Sequence, residues 1–491
     1  MIECSSVLAA VAQHAKDDPA KLCMADPKKS FSYGEAWAAI SGLAAHLQTL
    51  APVGSYAVME CNQRCEFVIA MLALQLAGVI AVPVERNAAD NRVAEICEET
   101  GAVLFIGAKQ RECVSQLPYL DLEGAAGYAG QGDGAALEFP DADAVAEILF
   151  STGTTGKSKG IVLTHRNNVA IAQNIYHGCE AKPGNVEIIP VPLSHSHGLR
   201  TVYSNLAHGN AFVCCDGVLA VKVMFNLIEQ YHVTAMDLVP SMLTIIFKLT
   251  KDRLGDYADQ LDYVELGSAP LAEEDKEHLA AVLPTTRLYN FYGSTESGRS
   301  CVLDFAAMKD KPSCIGRPAV NATFIVVDED RNPIDSSADN MGLLASSGPM
   351  VMKEYFKAPE LTAQTMADGF VYTKDLGYIG QDGLIYMLGR ADDVINFGGI
   401  KISPEEIEHE VAKSPIVKDC ALIAKKDPIS GQIPKLYIAL EDGAQYEPKE
   451  FKTFLAGALD ANKQPQSIEV IDEIPRTYNG KIKRKELAGR D

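Results

Sequence analysis

The hydrophobic pattern of the N-terminal part alternates between helical and strand-like segments. Ser32 and Glu35 stand three residues apart, which predicts a capping box at the start of a helix that runs to about Leu50. The elements predicted after it are a strand at 56–59, a helix at 66–77, a buried strand at 79–84, a helix at 92–100 and a strand at 103–106. Repeated alternation of this kind predicts parallel sheets covered by helices, an α/β fold.

Two stretches need a separate interpretation. Residues Phe67 to Val84 are almost wholly apolar and reach the length of a membrane-spanning helix. Gly78 and Pro83 interrupt the stretch, so we expect a buried helix followed by a buried strand and no transmembrane segment. The polar, glycine-rich residues 123–134 predict an exposed linker.

Composition narrows the class of protein. The chain has 491 residues, of which 47% are hydrophobic, enough for a large core and two to four domains. Its net charge of −21 argues against a nucleic-acid-binding protein and is ordinary for a cytoplasmic enzyme. Twelve cysteines without zinc-type spacing predict reduced, mostly buried thiols. The N-terminus has no basic region typical of an export signal, and the oligomeric state stays open.

A run of glycines, hydroxyl residues and lysines from Ser151 to Lys159 suits a loop that binds polyphosphate. The phosphate loop of ordinary NTPases has a glycine at the place of Ser151 and leads directly into a helix. Here residues 161–164 are strand-like, and a helical pattern begins only after Asn168. The sequence therefore predicts a strand, a phosphate loop and a second strand, with a merely flexible turn as the alternative.

Three further motifs carry chemistry. The run Tyr289-Asn290-Phe291-Tyr292-Gly293-Ser294-Thr295-Glu296 combines an aromatic ring for stacking, a hydroxyl for phosphate and a carboxylate for Mg²⁺. Residues 267–271 form a turn at the end of a strand, where ligand sites of α/β proteins gather. The run Pro192-Leu193-Ser194-His195-Ser196-His197 contains two histidines, for which no further metal ligands are evident.

With these motifs the chain resembles the adenylate-forming superfamily of acyl-CoA synthetases, peptide-synthetase adenylation domains and firefly luciferase. Further matches follow in order at residues 348–350, 372–375, 382–386, 389–393, 398–408 and 474–484. The resemblance implies a large N-terminal domain of helix-covered β-sheets, residues 1–391, and a small mobile α+β C-terminal domain, residues 392–491. The elements predicted in the small domain are helices at 404–413 and 448–459 and strands at 417–424 and 435–440.

The resemblance also implies roles for individual residues. The phosphate-binding residues would be Ser151, Thr152, Gly153, Thr154, Thr155, Gly156 and Lys159. Adenine and ribose would be bound by Gly267, Ser268, Ala269, Tyr292, Asp375 and Arg390. The catalytic residues would be Lys481, His195, Thr295 and Glu296, with Glu296 also the magnesium ligand. The hinge would be Asp392, and the tunnel for the thiol would be lined by Gly398 and Gly399.

The chain departs from the family pattern at several positions. Ser158 replaces a proline, Lys374 replaces a glycine, Ser194 replaces an aromatic residue, and Phe291 stands where many members have glycine. We expect Phe291 to narrow the acyl pocket. The Phe-Asp pair of amino-acid-activating members is missing at 194–195, which favours a fatty, aryl or other carboxylic acid as the substrate.

The implied reaction has two halves. Mg-ATP and a carboxylic acid give an acyl-adenylate and pyrophosphate, and rotation about Asp392 then withdraws Lys481 and admits the thiol of CoA, which gives a thioester and AMP. A ligase that loads an acyl carrier protein is the alternative, and an ordinary NTPase, a kinase or a non-catalytic binding protein is disfavoured. Arg200 or Arg299 could bind a second carboxylate of the substrate or have a structural role.

Overall fold

The computed structural model describes residues 4–130, 138–151, 159–309, 311, 313–397, 400–427, 431–476 and 482–490. Its α-helices are α1 (Val7–Asp17), α2 (Tyr33–Leu50), α3 (Cys65–Leu76), α4 (Asp90–Thr100), α5 (His165–Gly178), α6 (Ser196–Ala207), α7 (Val221–Gln230), α8 (Pro240–Thr250), α9 (Glu273–Val282), α10 (Pro359–Thr365), α11 (Pro404–Ala412), α12 (Pro448–Ala458) and α13 (Arg484–Ala488). Short 3₁₀ helices are formed by Glu112–Val114, Leu122–Tyr128 and Arg253–Tyr257.

The strands complete a mixed α/β fold. They are β1 (Leu22–Ala25), β2 (Ser30–Ser32), β3 (Tyr56–Glu60), β4 (Ile80–Val84), β5 (Leu104–Gly107), β6 (Tyr119–Asp121), β7 (Val145–Ser151), β8 (Lys159–Thr164), β9 (Val186–Ile189), β10 (Ala211–Cys214), β11 (Ala235–Leu238), β12 (Tyr263–Leu266), β13 (Arg287–Ser294), β14 (Gly298–Asp304), β15 (Cys314–Pro318), β16 (Thr323–Val327), β17 (Gly342–Ser347), β18 (Glu354–Tyr355), β19 (Met366–Ala367), β20 (Phe370–Ile379), β21 (Ile385–Arg390), β22 (Ile395–Phe397), β23 (Ile400–Ile402), β24 (Val417–Asp427), β25 (Gly431–Leu440) and β26 (Ser467–Val470).

The chain divides into two compact units. The large unit comprises Met1–Lys311, Ile315–Phe324 and Ser346–Val371, and the small unit comprises Pro312–Cys314, Ile325–Ala345 and Tyr372–Asp491. The predicted fold class, a large N-terminal unit of helix-covered sheets with a smaller C-terminal unit, is confirmed. The predicted boundary and hinge at Asp392 stay predictions.

Two sheets build the large unit. The first has the strand order β18-β8-β7-β4-β3-β5-β6, and its four strands β7, β4, β3 and β5 are parallel to one another. The second contains the row β14-β13-β12-β11-β9-β10-β1-β2, which is parallel from β13 to β1. Helix α6 lies between the two sheets, because Arg200 on it bonds to Glu147 of β7 while Thr201 bonds to Glu265 of β12.

The N-terminal elements agree with the sequence pattern. Glu35 N–H donates to Ser32 Oγ at 3.3 Å and Ser32 N–H donates to Glu35 Oε2 at 2.8 Å, so the predicted capping box is confirmed. Every residue of α3 is buried, and β4 follows it as a buried strand. The apolar stretch is therefore core, and no helix in the described ranges is long and apolar enough to cross a membrane.

One local prediction is wrong, and a second is right only in part. Helix α5 begins at His165 rather than after Asn168, because Thr164 and Asn167 form a capping box through bonds of 3.2 and 2.8 Å. The predicted exposed linker is partly structured: Leu122–Tyr128 forms a 3₁₀ helix against α2 and α3, with Leu122 and Ala125 buried. Two apolar side chains in a glycine-rich stretch were enough to anchor it to the core.

The C-terminal part of the small unit has its own core. Strands β24 and β25 form a long antiparallel hairpin, with β26 parallel to β25 on its other side. Helices α11 and α12 contribute Ile407, Val411, Phe451 and Leu455 to the hydrophobic cluster on one face. The two helices and two strands predicted for this region are confirmed, with ends that differ by up to four residues. All twelve cysteines lie in the described ranges, none of them forms a disulfide there, and ten are buried.

Candidate active site

The predicted phosphate loop is carried by a β-hairpin. Strands β7 and β8 pair antiparallel, and Ser151 lies opposite Lys159 at the end where the loop connects the two strands. The prediction of a strand on each side of the loop is confirmed, and it separates this loop from those that lead directly into a helix. Thr152, Gly153, Thr154, Thr155 and Gly156 lie outside the described residues, so their contact with phosphate stays a prediction.

Tyr355 connects the hairpin to the predicted magnesium ligand. Strand β18 pairs with β8, and Tyr355 lies opposite Ile161. The Lys159 Nζ lies 5.5 Å from the centre of the Tyr355 ring, within range of a cation–π contact. The Tyr355 hydroxyl donates a 2.7 Å hydrogen bond to Glu296 Oε1. One side chain thus brings together a cation and a carboxylate predicted to bind phosphate and metal.

The turn between β13 and β14 presents Thr295 and Glu296. Ser294 and Ser297 close the turn, because each backbone N–H donates to the other residue's hydroxyl at 3.0–3.1 Å. Gly293 has no room for a side chain, since a Cβ there would lie 1.8 Å from a backbone oxygen of β14. The glycine of the motif is therefore required by the closeness of the two strands.

The predicted adenine loop follows β12. Ser268 has a φ of +69°, a conformation that residues with a Cβ rarely adopt. Its hydroxyl lies 2.7 Å from His197 Nδ1, and the other ring nitrogen of His197 lies 2.5 Å from Asp237 Oδ1. A Cβ on Gly267 would lie 2.8 Å from the His197 ring, so the glycine gives the imidazole its space. Ala269 lies in the same loop, half-buried.

The other predicted residues of the large unit lie in different environments. His195 is partly exposed, and its Nε2 lies 3.1 Å from Glu85 Oε1, which lowers the pKa of Glu85. Tyr292 is half-buried, with its ring centre 6.3 Å from that of Phe324. Phe291 is buried against α5, where its ring would meet a Cβ on Gly178 at 2.8 Å. The expected narrowing of an acyl pocket by Phe291 stays a prediction.

A cluster of buried carboxylates lies behind the adenine loop. Asp237 and Glu265 are register neighbours on β11 and β12, and Glu187 stands on β9. All three are fully buried, and Arg299 is bonded to Glu265 and lies 3.7 Å from Asp237. Burial raises the pKa of Glu265 to about 7, although Arg299 opposes this, and burial raises the pKa of Glu187 well above its ordinary value.

A second buried ion pair lies on the other side of α6. Arg200 Nη1 donates to Glu147 Oε1 at 2.5 Å and to Asn168 Oδ1 at 2.6 Å. Glu147 Oε2 accepts from Gln75, Tyr203 and Asn168. Of the two arginines considered for a second substrate carboxylate, Arg200 is thus bound to Glu147 and Arg299 to Glu265.

In the small unit the two predicted ribose-binding residues are neighbours. Asp375 and Arg390 are paired across β20 and β21, with Arg390 Nη1 3.5 Å from Asp375 Oδ1. Lys374 has a φ of +63°, which explains why glycine is usual at this position. Asp392 is exposed, and its Oδ2 lies 4.0 Å from Lys374 Nζ. Gly398, Gly399 and Lys481 lie outside the described residues.

The comparisons with known proteins decide the family. Residues 11–356 match the family model described as "AMP-binding enzyme", and residues 406–481 match "AMP-binding enzyme C-terminal domain". The chain belongs to the AMP-binding enzyme family. The recognition of the adenylate-forming superfamily from its motifs is confirmed.

Relatives of this AMP-binding enzyme include plant CoA ligases. It is 30% identical over 352 residues to the peroxisomal OPC-8:0-CoA ligase 1 of Arabidopsis thaliana, covering 71% of this chain and 64% of the relative. It is 26% identical to the 4-coumarate–CoA ligase 3 of Oryza sativa subsp. japonica over 96% of this chain and 89% of the relative. The match thus spans less than two thirds of the first of these relatives.

The fold has solved counterparts. The structure of ATP-bound MatB from Rhodopseudomonas palustris superposes with a TM-score of 0.87, covers 99% of each chain and is 23% identical. At this level of identity the likeness shows that the AMP-binding enzyme shares the fold over both units. The roles of individual residues rest on the motifs and on the geometry described above.

Sequence reasoning missed two side chains around the site, Tyr355 and Asp237, and gave no role to a third, His197. Tyr355 lies 59 residues beyond Glu296, in a strand of two residues that no periodicity reveals. His197 was noted as one of a histidine pair, and Asp237 lies in an otherwise apolar strand. The sequence signal for Asp237 was a carboxylate in a short, otherwise apolar strand, because the interior of a parallel sheet is normally apolar.

Proposed function

We propose that this AMP-binding enzyme activates a carboxylic acid with Mg-ATP and transfers the acyl group to CoA. The observation that carries the proposal is the convergence of Lys159 and Glu296 on Tyr355. A lysine offsets phosphate charge, and a carboxylate oxygen is a ligand that Mg²⁺ prefers. The CoA-ligase names of the relatives support the second half of the reaction.

The residues have defined tasks in the first half-reaction. A carboxylate oxygen of the acid attacks the α-phosphorus of ATP, the bond to the β-phosphate breaks, and pyrophosphate leaves. Glu296 would hold the Mg²⁺ that neutralises the phosphates, while Thr295 would bond an α-phosphate oxygen. Lys159 and Lys481 would stabilise the charge that moves onto pyrophosphate. Asp375 would accept hydrogen bonds from the ribose hydroxyls.

The second half-reaction forms the thioester. The sulfur of CoA attacks the acyl carbon of the adenylate, the bond between that carbon and the phosphate oxygen breaks, AMP leaves, and the thiol proton is released. Gly398 and Gly399 would line the thiol tunnel after rotation about Asp392. We place the enzyme in the cytoplasm.

The paired arginines favour a monocarboxylic substrate. Arg200 and Arg299 each bond a buried glutamate, which already offsets the positive charge of the guanidinium. A second substrate carboxylate at either arginine would be buried as an excess negative charge. We therefore favour fatty or aryl monocarboxylic acids over dicarboxylic acids.

The test is a product assay. The purified protein is incubated with Mg-ATP and fatty, aryl and dicarboxylic acids, with and without CoA, and AMP, ADP, pyrophosphate and acyl-CoA are measured by mass spectrometry. We expect acid-dependent AMP and pyrophosphate, and acyl-CoA when CoA is present. Lys481→Ala is expected to abolish pyrophosphate release while thioester formation from a synthetic acyl-adenylate continues.

Lys483→Ala is the matched control, because Lys483 is a half-exposed lysine of the same segment, 3.6 Å from Glu486. It should leave both half-reactions unchanged. ADP in place of AMP would overturn adenylation. Acyl-adenylate that accumulates in the presence of CoA and is consumed by an acyl carrier protein would show that the carrier protein, and not CoA, is the acceptor.

A further inference from the structure

A chain of hydrogen-bond contacts leads from Ser268 through His197 to Asp237. The proposed reaction does not use these contacts. Ser268 is exposed, whereas the His197 side chain is 9% exposed and Asp237 is fully buried. His197 lies in the first turn of α6, and Asp237 lies on β11. The three side chains therefore connect the surface of the adenine loop to the centre of the second sheet.

Asp237 fixes the hydrogen bonding of the imidazole. Its Oδ1 lies 2.5 Å from His197 Nε2, so the proton of a neutral ring is placed on Nε2 and Nδ1 is left as an acceptor. Burial lowers the pKa of His197, which favours the neutral ring. The Ser268 hydroxyl then donates to Nδ1 over 2.7 Å.

Arg299 fixes the buried end of this chain of contacts. Its Nη2 lies 3.7 Å from Asp237 Oδ1 and donates to the His197 backbone oxygen at 3.4 Å and to Thr201 Oγ1 at 2.8 Å. The imidazole is thus fixed by its own backbone and by Asp237 at the same time. A side chain held in this way can impose a geometry on the residue that it contacts.

The backbone of Ser268 needs such support. A residue with a Cβ is disfavoured at a φ of +69°, and glycine is the residue that adopts it without penalty. The contact with His197 offsets the penalty, and the missing side chain of Gly267 lets the ring approach the loop. A side-chain hydrogen bond from outside the loop therefore stabilises the loop conformation.

We propose that His197 is a positioning residue that holds Ser268 in its left-handed conformation and thereby keeps the adenine loop ready to bind ATP. The inference rests on the proposed function, in which residues 267–269 contact adenine. Without the hydrogen bond, Ser268 relaxes towards ordinary backbone angles, and ATP binding must restore the loop. The effect falls on ATP affinity, because His197 does not act on the reacting atoms.

The experiment measures KM for ATP and kcat at saturating acid, together with ATP affinity by calorimetry in the absence of acid. Ser268→Ala keeps the Cβ and loses the hydroxyl, and His197→Ala loses the acceptor. We expect each to raise KM and Kd for ATP about tenfold, the equivalent of the left-handed penalty, with kcat changed less than about threefold. The double variant S268A/H197A should be no worse than either single variant.

A second-site glycine gives the decisive result. Ser268→Gly removes the Cβ penalty, so H197A/S268G should return to within about threefold of the wild-type KM for ATP. His232 is an exposed residue with a φ of +49° in another loop, which makes H197A/H232G the matched control. That variant should keep the raised KM.

Three results would overturn the proposal. They are an unchanged ATP affinity in S268A, a failure of S268G to rescue H197A when the thermal unfolding midpoints show that both are folded, and equal rescue by H232G. S268A alters only an exposed side chain, so it tests the proposal even if H197A does not fold. Wild-type protein that binds ATP and releases no acid-dependent pyrophosphate would refute the proposed function and leave the calorimetric test of His197 valid.

Discussion

The buried ionisable groups on the two sides of α6 are arranged differently. Towards the first sheet, Arg200 meets Glu147, whose two oxygens accept from four side chains. Towards the second sheet lie three buried carboxyl groups, those of Glu187, Asp237 and Glu265. Arg299 is bonded to Glu265 and lies 3.7 Å from Asp237. The first side is balanced in charge, whereas the second has more carboxylates than cations.

The difference separates a structural pair from a region connected to the site. A pair of opposite charges whose carboxylate accepts from four side chains fixes the packing of two sheets on one helix. Buried carboxylates without a cation lower the free energy of unfolding at neutral pH. Ionisable groups in such environments cluster at functional sites. The side with more carboxyl groups than cations is the one that is hydrogen-bonded to Ser268, through Asp237 and His197.

The largest expected effect comes from breaking the balanced pair. Arg200→Met leaves the Glu147 carboxylate buried without a cation, so we expect the free energy of unfolding to fall by about 3–5 kcal/mol in urea titrations. The double variant R200M/E147Q removes both charges and should recover more than half of the loss. A loss below about 1 kcal/mol in R200M would show that the two sides of α6 do not differ in this way.

A smaller effect is expected in the pH dependence of the free energy of unfolding, which Glu265 on the second side of α6 should influence. Burial raises the pKa of Glu265 from 4.5 to about 7, so the folded state binds a proton that the unfolded state has released between these values. The free energy of unfolding should therefore fall as the pH rises from about 4.5 to about 7. Glu265→Gln cannot titrate and should show a flatter profile over that window. Identical slopes in the two proteins would mean that Glu265 is ionised throughout.

The smallest effect is expected at Glu187. Burial raises the pKa of this carboxyl well above its ordinary value, which favours the neutral acid, a group close in shape to glutamine. Asn205 Nδ2 donates to Glu187 Oε2 at 2.6 Å, a bond that a glutamine oxygen can accept. Glu187→Gln should change the free energy of unfolding by less than about 1 kcal/mol. A loss as large as that of R200M would show that Glu187 is an ionised partner of the cluster.

Local sequence determined much of the fold. The capping box at Ser32 and Glu35 and the helix-to-strand step of α3 and β4 depend on neighbours in the chain and were predicted correctly. The capping box at Thr164 and Asn167 was missed because asparagine stands where glutamate or glutamine is usual. The 3₁₀ helix Leu122–Tyr128 was missed because its two buried side chains gain their stability from α2 and α3.

Motifs determined the family and the residues expected at the site, because each motif is a short run whose chemistry is contained in its residue types. They could not supply Tyr355, since its contacts with Lys159 and Glu296 cross strands that are far apart in the chain. They also could not determine whether Arg200 and Arg299 were available to a substrate. Both arginines are bonded by glutamates more than thirty residues away in sequence.

The sequence by itself thus determined the fold class, the family and the list of chemical groups, since these follow from local patterns of polarity and from short motifs. Only the tertiary structure decided which of those groups meet, because carboxylates on β9, β11 and β12 become neighbours only through the register of a parallel sheet. The role of a buried charge depends on its partners in space, and the distance along the chain does not reveal them.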